Sequence, residues 1–146
     1  MRKKGFTLVE TVVVLALMSI ASGILVLSFF SAQNDKVMDE AKVLTVNALE
    51  AARNRATSGI GEDDHGVRMT ADNKIEVFTV NEAGNETVVR EISLPSRIKN
   101  FTGDVDFVFK RVTGEVATEG NFKLKSDITG EEVEIEVKES GSINIE

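Results

Sequence analysis

The sequence predicts an α+β fold, in which one long N-terminal helix packs on a mostly antiparallel β-domain of two small sheets. Residues 11–30 contain no charged residue and no proline, and residues 24–58 contain neither proline nor glycine. Both stretches are therefore expected to be helical. After His65, apolar and polar residues alternate, and short turn signals separate the alternating stretches. This period of two indicates half-buried strands.

The apolar segment of about residues 11–30 has the length of a membrane-spanning helix. Twenty helical residues extend roughly 30 Å, which matches the hydrocarbon core of a bilayer. The basic residues Arg2, Lys3 and Lys4 precede the segment. The positive-inside rule therefore predicts a single-pass protein of the inner membrane, with its N-terminus in the cytoplasm and the remainder outside.

Three ordinary interpretations of this segment compete: a cleaved secretory signal, a lipoprotein signal and a membrane anchor. A lipoprotein signal requires a cysteine, and the chain has none. Residues 21–23 resemble a secretory cleavage site, but the apolar stretch continues beyond them to Phe30. That continuation favours a retained membrane helix.

None of these interpretations explains Glu10, because a carboxylate at a membrane border is costly unless it is paired or reaches water. The sequence of residues 5–10 is GFTLVE, after a short basic leader and before an apolar helix. This pattern resembles the class III signal of type IV prepilins and pseudopilins. A membrane anchor with a chance glutamate at its border is the alternative.

The resemblance implies processing and assembly. A prepilin peptidase cuts after Gly5, which removes residues 1–5 as a leader, and methylates the new N-terminal Phe6. Glu10 then pairs with the N-terminal amine of a neighbouring subunit. The implied fold is pilin-like. The implied partners are the peptidase, other pilins or pseudopilins, membrane lipid and, indirectly, an inner-membrane platform protein and an assembly ATPase.

The helix predicted for residues 6–58 changes character after the membrane segment. Apolar residues recur at spacings of three and four in residues 35–58, including Val37, Ala41 and Ala48. This spacing predicts an amphipathic segment with a narrow, alanine-rich stripe. Gly59 and Gly61 provide a stop signal for the helix.

Residues 59–146 are predicted to form the β-rich soluble domain, with six to eight short strands. Alternating stretches occupy about residues 75–80, 105–110, 122–125, 132–138 and 143–145. Pro95 is expected at an edge or in a connection between the sheets. The glutamate-rich strand within residues 131–139 is expected to lie at an edge, where its charges discourage aggregation.

A closer resemblance involves the minor pseudopilin H and FimT-type minor pilins. It rests on Leu49, Ala52, Arg53 and Ala56 in LEAARNRATSG, on Phe109 and Gly114, and on the C-terminal SGSINIE. Arg53 itself is interpreted as a cation favoured by the helix dipole, with a contact to a neighbouring subunit as the alternative.

Composition excludes several other functions. The net charge of −7 and the pI of about 4.9 argue against binding nucleic acid through a basic surface. The acidic run of residues 62–64 before His65 is interpreted as a solvated turn rather than a calcium site, so no metal and no cofactor are predicted. His65 is the only histidine and no nucleophile motif accompanies it, which predicts a protein that is not an enzyme.

The sequence is therefore interpreted as a minor pilin-like structural subunit of a type II secretion pseudopilus or a type IV pilus. Two alternatives remain open. The chain could be a major pilin, or a membrane-anchored extracytoplasmic binding domain that does not assemble.

Overall fold

The structure is a computed structural model that describes residues 7–59, 61–100 and 102–146. One helix, α1, spans Leu8–Ser58. It is followed by eight strands: β1 Asp64–Met69, β2 Lys74–Val80, β3 Glu86–Ser93, β4 Ile98–Asn100, β5 Val105–Phe109, β6 Gly120–Ser126, β7 Glu132–Val137 and β8 Ile143–Ile145. The chain divides into two compact units, Met1–Lys36 and Val37–Glu146.

The eight strands form two four-stranded sheets in the second unit. The first sheet has the order β3-β2-β1-β5 and the second the order β4-β6-β7-β8. Every strand pair in both sheets is antiparallel. The α+β prediction of one long helix and two small antiparallel sheets is confirmed.

The core of the second unit lies between the C-terminal part of α1 and the two sheets. Ala41, Ala48 and Ala52 are buried, as the alanine-rich stripe predicted. Small side chains on a helix allow the sheets to approach its backbone closely. From the sheets, the rings of Phe107 and Phe122 meet with centroids 6.2 Å apart, so the core joins both sheets.

The predicted boundaries between the elements agree with the backbone conformation. Helix α1 ends at Ser58, and Gly59 follows with a φ of 64°. Residues with positive φ also lie in turns between consecutive strands: Asn73, Gly84, Gly114, Gly130 and Gly141. Pro95 lies between β3 of the first sheet and β4 of the second, which is the predicted connection between sheets.

Two expectations about strands were incomplete or wrong. The glutamate-rich strand β7 is not an edge strand, because β8 pairs with it on the side opposite β6. Strands β1, β3 and β4 lie outside the predicted alternating stretches, and in β3 every residue except Ile92 is exposed. A strand with no buried face shows no apolar alternation.

A buried aromatic ring lies outside the main core, on the first sheet. Phe78 is fully buried but does not belong to the core cluster. The guanidinium carbon of Arg68 lies 4.8 Å from the centre of the Phe78 ring, which is a cation–π contact. Arg68 also donates two hydrogen bonds of 2.8 Å to the carboxylate of Asp106 and one of 2.8 Å to Glu86. The bonds to Asp106, then to Glu86, raise the pKa of Arg68 above its ordinary value, although partial burial opposes the shift.

We expect Arg68→Lys to lower the free energy of unfolding of the second unit by about 1–2 kcal/mol, because an ammonium group does not reproduce the two-pronged bond to Asp106. The measurement is calorimetric unfolding of the full chain in detergent. The control is Arg111→Lys, since Arg111 is exposed and takes part in no ion pair among the residues described. Equal stability of the two variants would contradict the bidentate role.

Candidate functional site

The first turn of α1 contains the one acidic residue of the apolar N-terminal segment that the structure describes, Glu10. The backbone N–H of Glu10 donates to Thr7 Oγ1 at 3.2 Å. Thr7 therefore caps the helix, because its hydroxyl satisfies an N–H group that has no partner within the helix. The Glu10 carboxylate also lies at the positive end of the helix dipole, where negative charge is favoured.

Sequence reasoning selected Glu10 but missed Thr7. The signal was present, because threonine followed three residues later by glutamate is the capping-box spacing. The remaining predicted site residues, Gly5 and Phe6 with the leader cations Arg2, Lys3 and Lys4, lie outside the described residues.

The apolar segment of α1 is exposed from Leu8 to Val26. The stretch Leu8–Val26 has a mean hydropathy of 2.3 and no part of it is buried. By length and composition it is able to cross a membrane. Two of its hydroxyl groups bond within the helix: Thr11 Oγ1 donates to Thr7 O at 3.2 Å, and Ser19 Oγ donates to Leu15 O at 2.8 Å. Internal bonds of this kind suit an environment without water.

In the second unit, Arg53 forms an internal junction rather than a free helix-end cation. Its Nη2 donates to Ser140 O at 3.3 Å. A Cβ atom at Gly114 would meet the Arg53 side chain at 3.4 Å, and one at Gly141 would meet it at 3.0 Å. The residues Arg53, Gly114 and Gly141, which are far apart in the sequence, therefore converge. This intramolecular contact accounts for Arg53 without a neighbouring subunit.

The acidic run after α1 also has a structural role. Asp64 Oδ1 accepts the backbone N–H of Arg111 at 2.7 Å, and His65 is a buried residue of β1. Among the described residues, no group of three or more histidine, cysteine or acidic side chains converges in a way that could hold a metal ion.

The comparisons with known proteins concern the N-terminal segment and the fold. Residues 1–26 match the family described as the prokaryotic N-terminal methylation motif. The predicted N-terminal signal is therefore similar to a known methylation motif. No curated protein sequence matches the chain significantly.

The fold is similar to that of the minor pseudopilin EpsH from the type 2 secretion system of Vibrio cholerae. The TM-score is 0.57 at 13% identity, and the match covers 75% of this chain and 95% of that chain. The prediction of a pilin-like fold is confirmed. The motif and the apolar helix also support anchoring in a membrane.

Proposed function

We propose that the chain is a minor pilin-like subunit of a type II secretion pseudopilus or a type IV pilus. The observation that carries the proposal is the GFTLVE stretch, which lies in the segment that matches the methylation motif and leads into an exposed apolar helix. The similarity of fold to a minor pseudopilin supports the minor role. A major pilin, and an anchored domain that does not assemble, are the alternatives.

The GFTLVE stretch also directs proteolytic processing of the chain. A prepilin peptidase cuts after Gly5 and methylates Phe6, and the leader cations Arg2, Lys3 and Lys4 are lost. Their removal takes the net charge from −7 to −10. The leader cations hold the N-terminus in the cytoplasm until the cut, while the β-rich unit lies outside the inner membrane. Lipid surrounds the apolar helix until neighbouring helices replace it, and a platform protein and an ATPase drive that transfer.

Glu10 gains an intermolecular partner only after the cut. The new N-terminus of a neighbouring subunit carries a positive amine, which pairs with the Glu10 carboxylate inside a bundle of apolar helices. A buried carboxylate is tolerable when it is paired in this way. In the single chain Glu10 is exposed, so its carboxylate is accessible to such a partner.

We expect Gly5→Leu to leave an uncut precursor, because the residue before the cut must be small. Intact-mass and N-terminal analysis should show a chain that begins with methylated Phe6 in the wild type and with Met1 in the variant. The control is Gly23→Leu, which lies in the same apolar segment with no atom within 4 Å of an added Cβ. A wild-type chain that begins anywhere other than Phe6 would overturn the proposal.

We expect Glu10→Gln to reduce incorporation into filaments at least about tenfold, because it removes the charge of a buried pair while it preserves side-chain size. Cross-linking of filament fractions measures incorporation, and membrane fractionation checks that insertion is unchanged. The control Thr7→Val removes the cap, at about 1 kcal/mol of helix stability, but keeps the Glu10 charge. Normal co-assembly of Glu10→Gln would show that Glu10 acts only at the helix start.

A further inference from the structure

A groove of about 400 Å³ lies between α1 and the first sheet of the second unit. Its α1 wall contains Leu44, Ala48 and Ala51, and its sheet wall contains Val77, Val89 and Ile92. The volume lies within the range of protein ligand sites, and the walls are mainly apolar. The apolar surface of α1 therefore extends beyond the part that the sheet covers.

The strand beside this groove has an unpaired side. Strand β3 is the end of the first sheet and pairs only with β2. Val88 and Val89 are 51% and 53% exposed. The pairing of β3 with β2 is irregular at Val89. Arg90 lies opposite Val77 and Val88 lies opposite Phe78, so Val89 has no residue opposite it in β2. A long, exposed edge strand with apolar side chains is a surface on which another strand can pair.

The charges at the groove favour an acidic partner. Arg55 and Arg90 line it, and among the residues described neither takes part in an ion pair. Both acidic residues of β3 have ion-pair partners, because Glu91 pairs with Lys74 at 2.6 Å and Glu86 shares Arg68 with Asp106 at 2.8 Å. Two unpaired cations beside an apolar groove are unusual on a chain of net charge −7.

We propose that the free side of β3 and the adjoining groove form a docking site for an extended segment of a partner protein that carries both apolar and acidic residues on one face. Such a segment adds to the sheet as a fifth strand and satisfies the free backbone groups of β3. Every second side chain then points toward α1 and fills the groove. The carboxylates on this same face of the segment reach Arg55 and Arg90, which selects acidic over basic partners.

The test uses the full chain in detergent micelles and two end-capped, fluorescently labelled peptides of about the length of β3. One has valine and glutamate in turn at every second position, so that both lie on one face, with threonine between them; the other has lysine in place of glutamate. We expect the acidic peptide to bind at least about tenfold more tightly by fluorescence anisotropy at low salt. Amide hydrogen exchange should show new protection in β3 when the acidic peptide is bound.

Two pairs of variants assign the effect to this site. Arg55→Glu/Arg90→Glu should reverse the preference between the peptides. The control Lys110→Glu/Arg111→Glu makes the same charge change at exposed positions that do not line the groove. It should preserve the preference for the acidic peptide. Ala51→Phe should weaken binding by filling the groove, whereas Ala117→Phe, at an exposed position elsewhere, should not.

Equal affinity for the two peptides, or an unchanged preference in Arg55→Glu/Arg90→Glu, would overturn the proposal. Protection of β3 that rises with protein concentration in the absence of peptide would assign the site to a second copy and would also overturn it. None of these readouts depends on cleavage after Gly5. Failure of this proposal is therefore distinguishable from failure of the proposed function.

Discussion

Gly141→Ala is expected to lower the free energy of unfolding of the second unit by about 3–4 kcal/mol. Gly141 has a φ of 75°, where an L side chain is strained. An added Cβ would also collide with the carbonyl oxygen of Gly114 and approach Arg53 Nε at 3.0 Å. Because the first obstacle is backbone, a side-chain rotation cannot relieve it, and the junction between α1 and the two turns must open.

Gly130→Ala is the matched control for that prediction. Gly130 has a similar φ of 71°, but an added Cβ there meets no atom within 4 Å. Only backbone strain remains, which costs about 1 kcal/mol. Calorimetric unfolding of both full-length variants in detergent separates the two contributions. If both lose the same stability, the close approach of Gly114 and Gly141 does not hold the second unit together.

Local patterns in the sequence were sufficient for most of the fold. The unbroken run that becomes α1 and the alternation that becomes β5 and β7 arise because one face of each element is buried. Strand β3 was missed because neither of its faces is covered. Strand β7 was assigned to an edge because its pairing with the C-terminal β8 is a long-range contact that charge patterning does not reveal.

In the candidate site, too, contacts between residues close in the sequence could be predicted and contacts between distant segments could not. The motif at Glu10 and its cap Thr7 are three residues apart, so the sequence contained both signals. In contrast, the junction of Arg53 with Gly114 and Gly141 joins three distant segments. Sequence reasoning had selected these residues by resemblance, but only the structure shows that they contact one another. Their shared role is packing inside the chain.

A second large loss of stability is expected for Gly66→Ala, because Gly66 lies against the Phe78 ring that contacts Arg68. Gly66 lies opposite Phe78 in the pairing of β1 with β2, and an added Cβ would lie 2.6 Å and 2.9 Å from Cε2 and Cε1 of the ring. Gly66 has no positive φ, so the whole effect is steric. Since Phe78 is fully buried and held under the Arg68 guanidinium, we expect Gly66→Ala to cost about 2–3 kcal/mol.

A double-mutant cycle tests this explanation directly. Phe78→Leu removes the atoms that the new methyl group meets, and by itself it weakens the packing on Gly66 and the contact with Arg68. If the two residues act through this contact, the double variant should lose about 1–2 kcal/mol less than the sum of the single variants. Additive losses in calorimetric unfolding would show that Gly66→Ala destabilises the sheet by another route. A favourable coupling would instead establish that a glycine in β1 is what allows a phenylalanine of β2 to lie flat on the sheet, away from the main core.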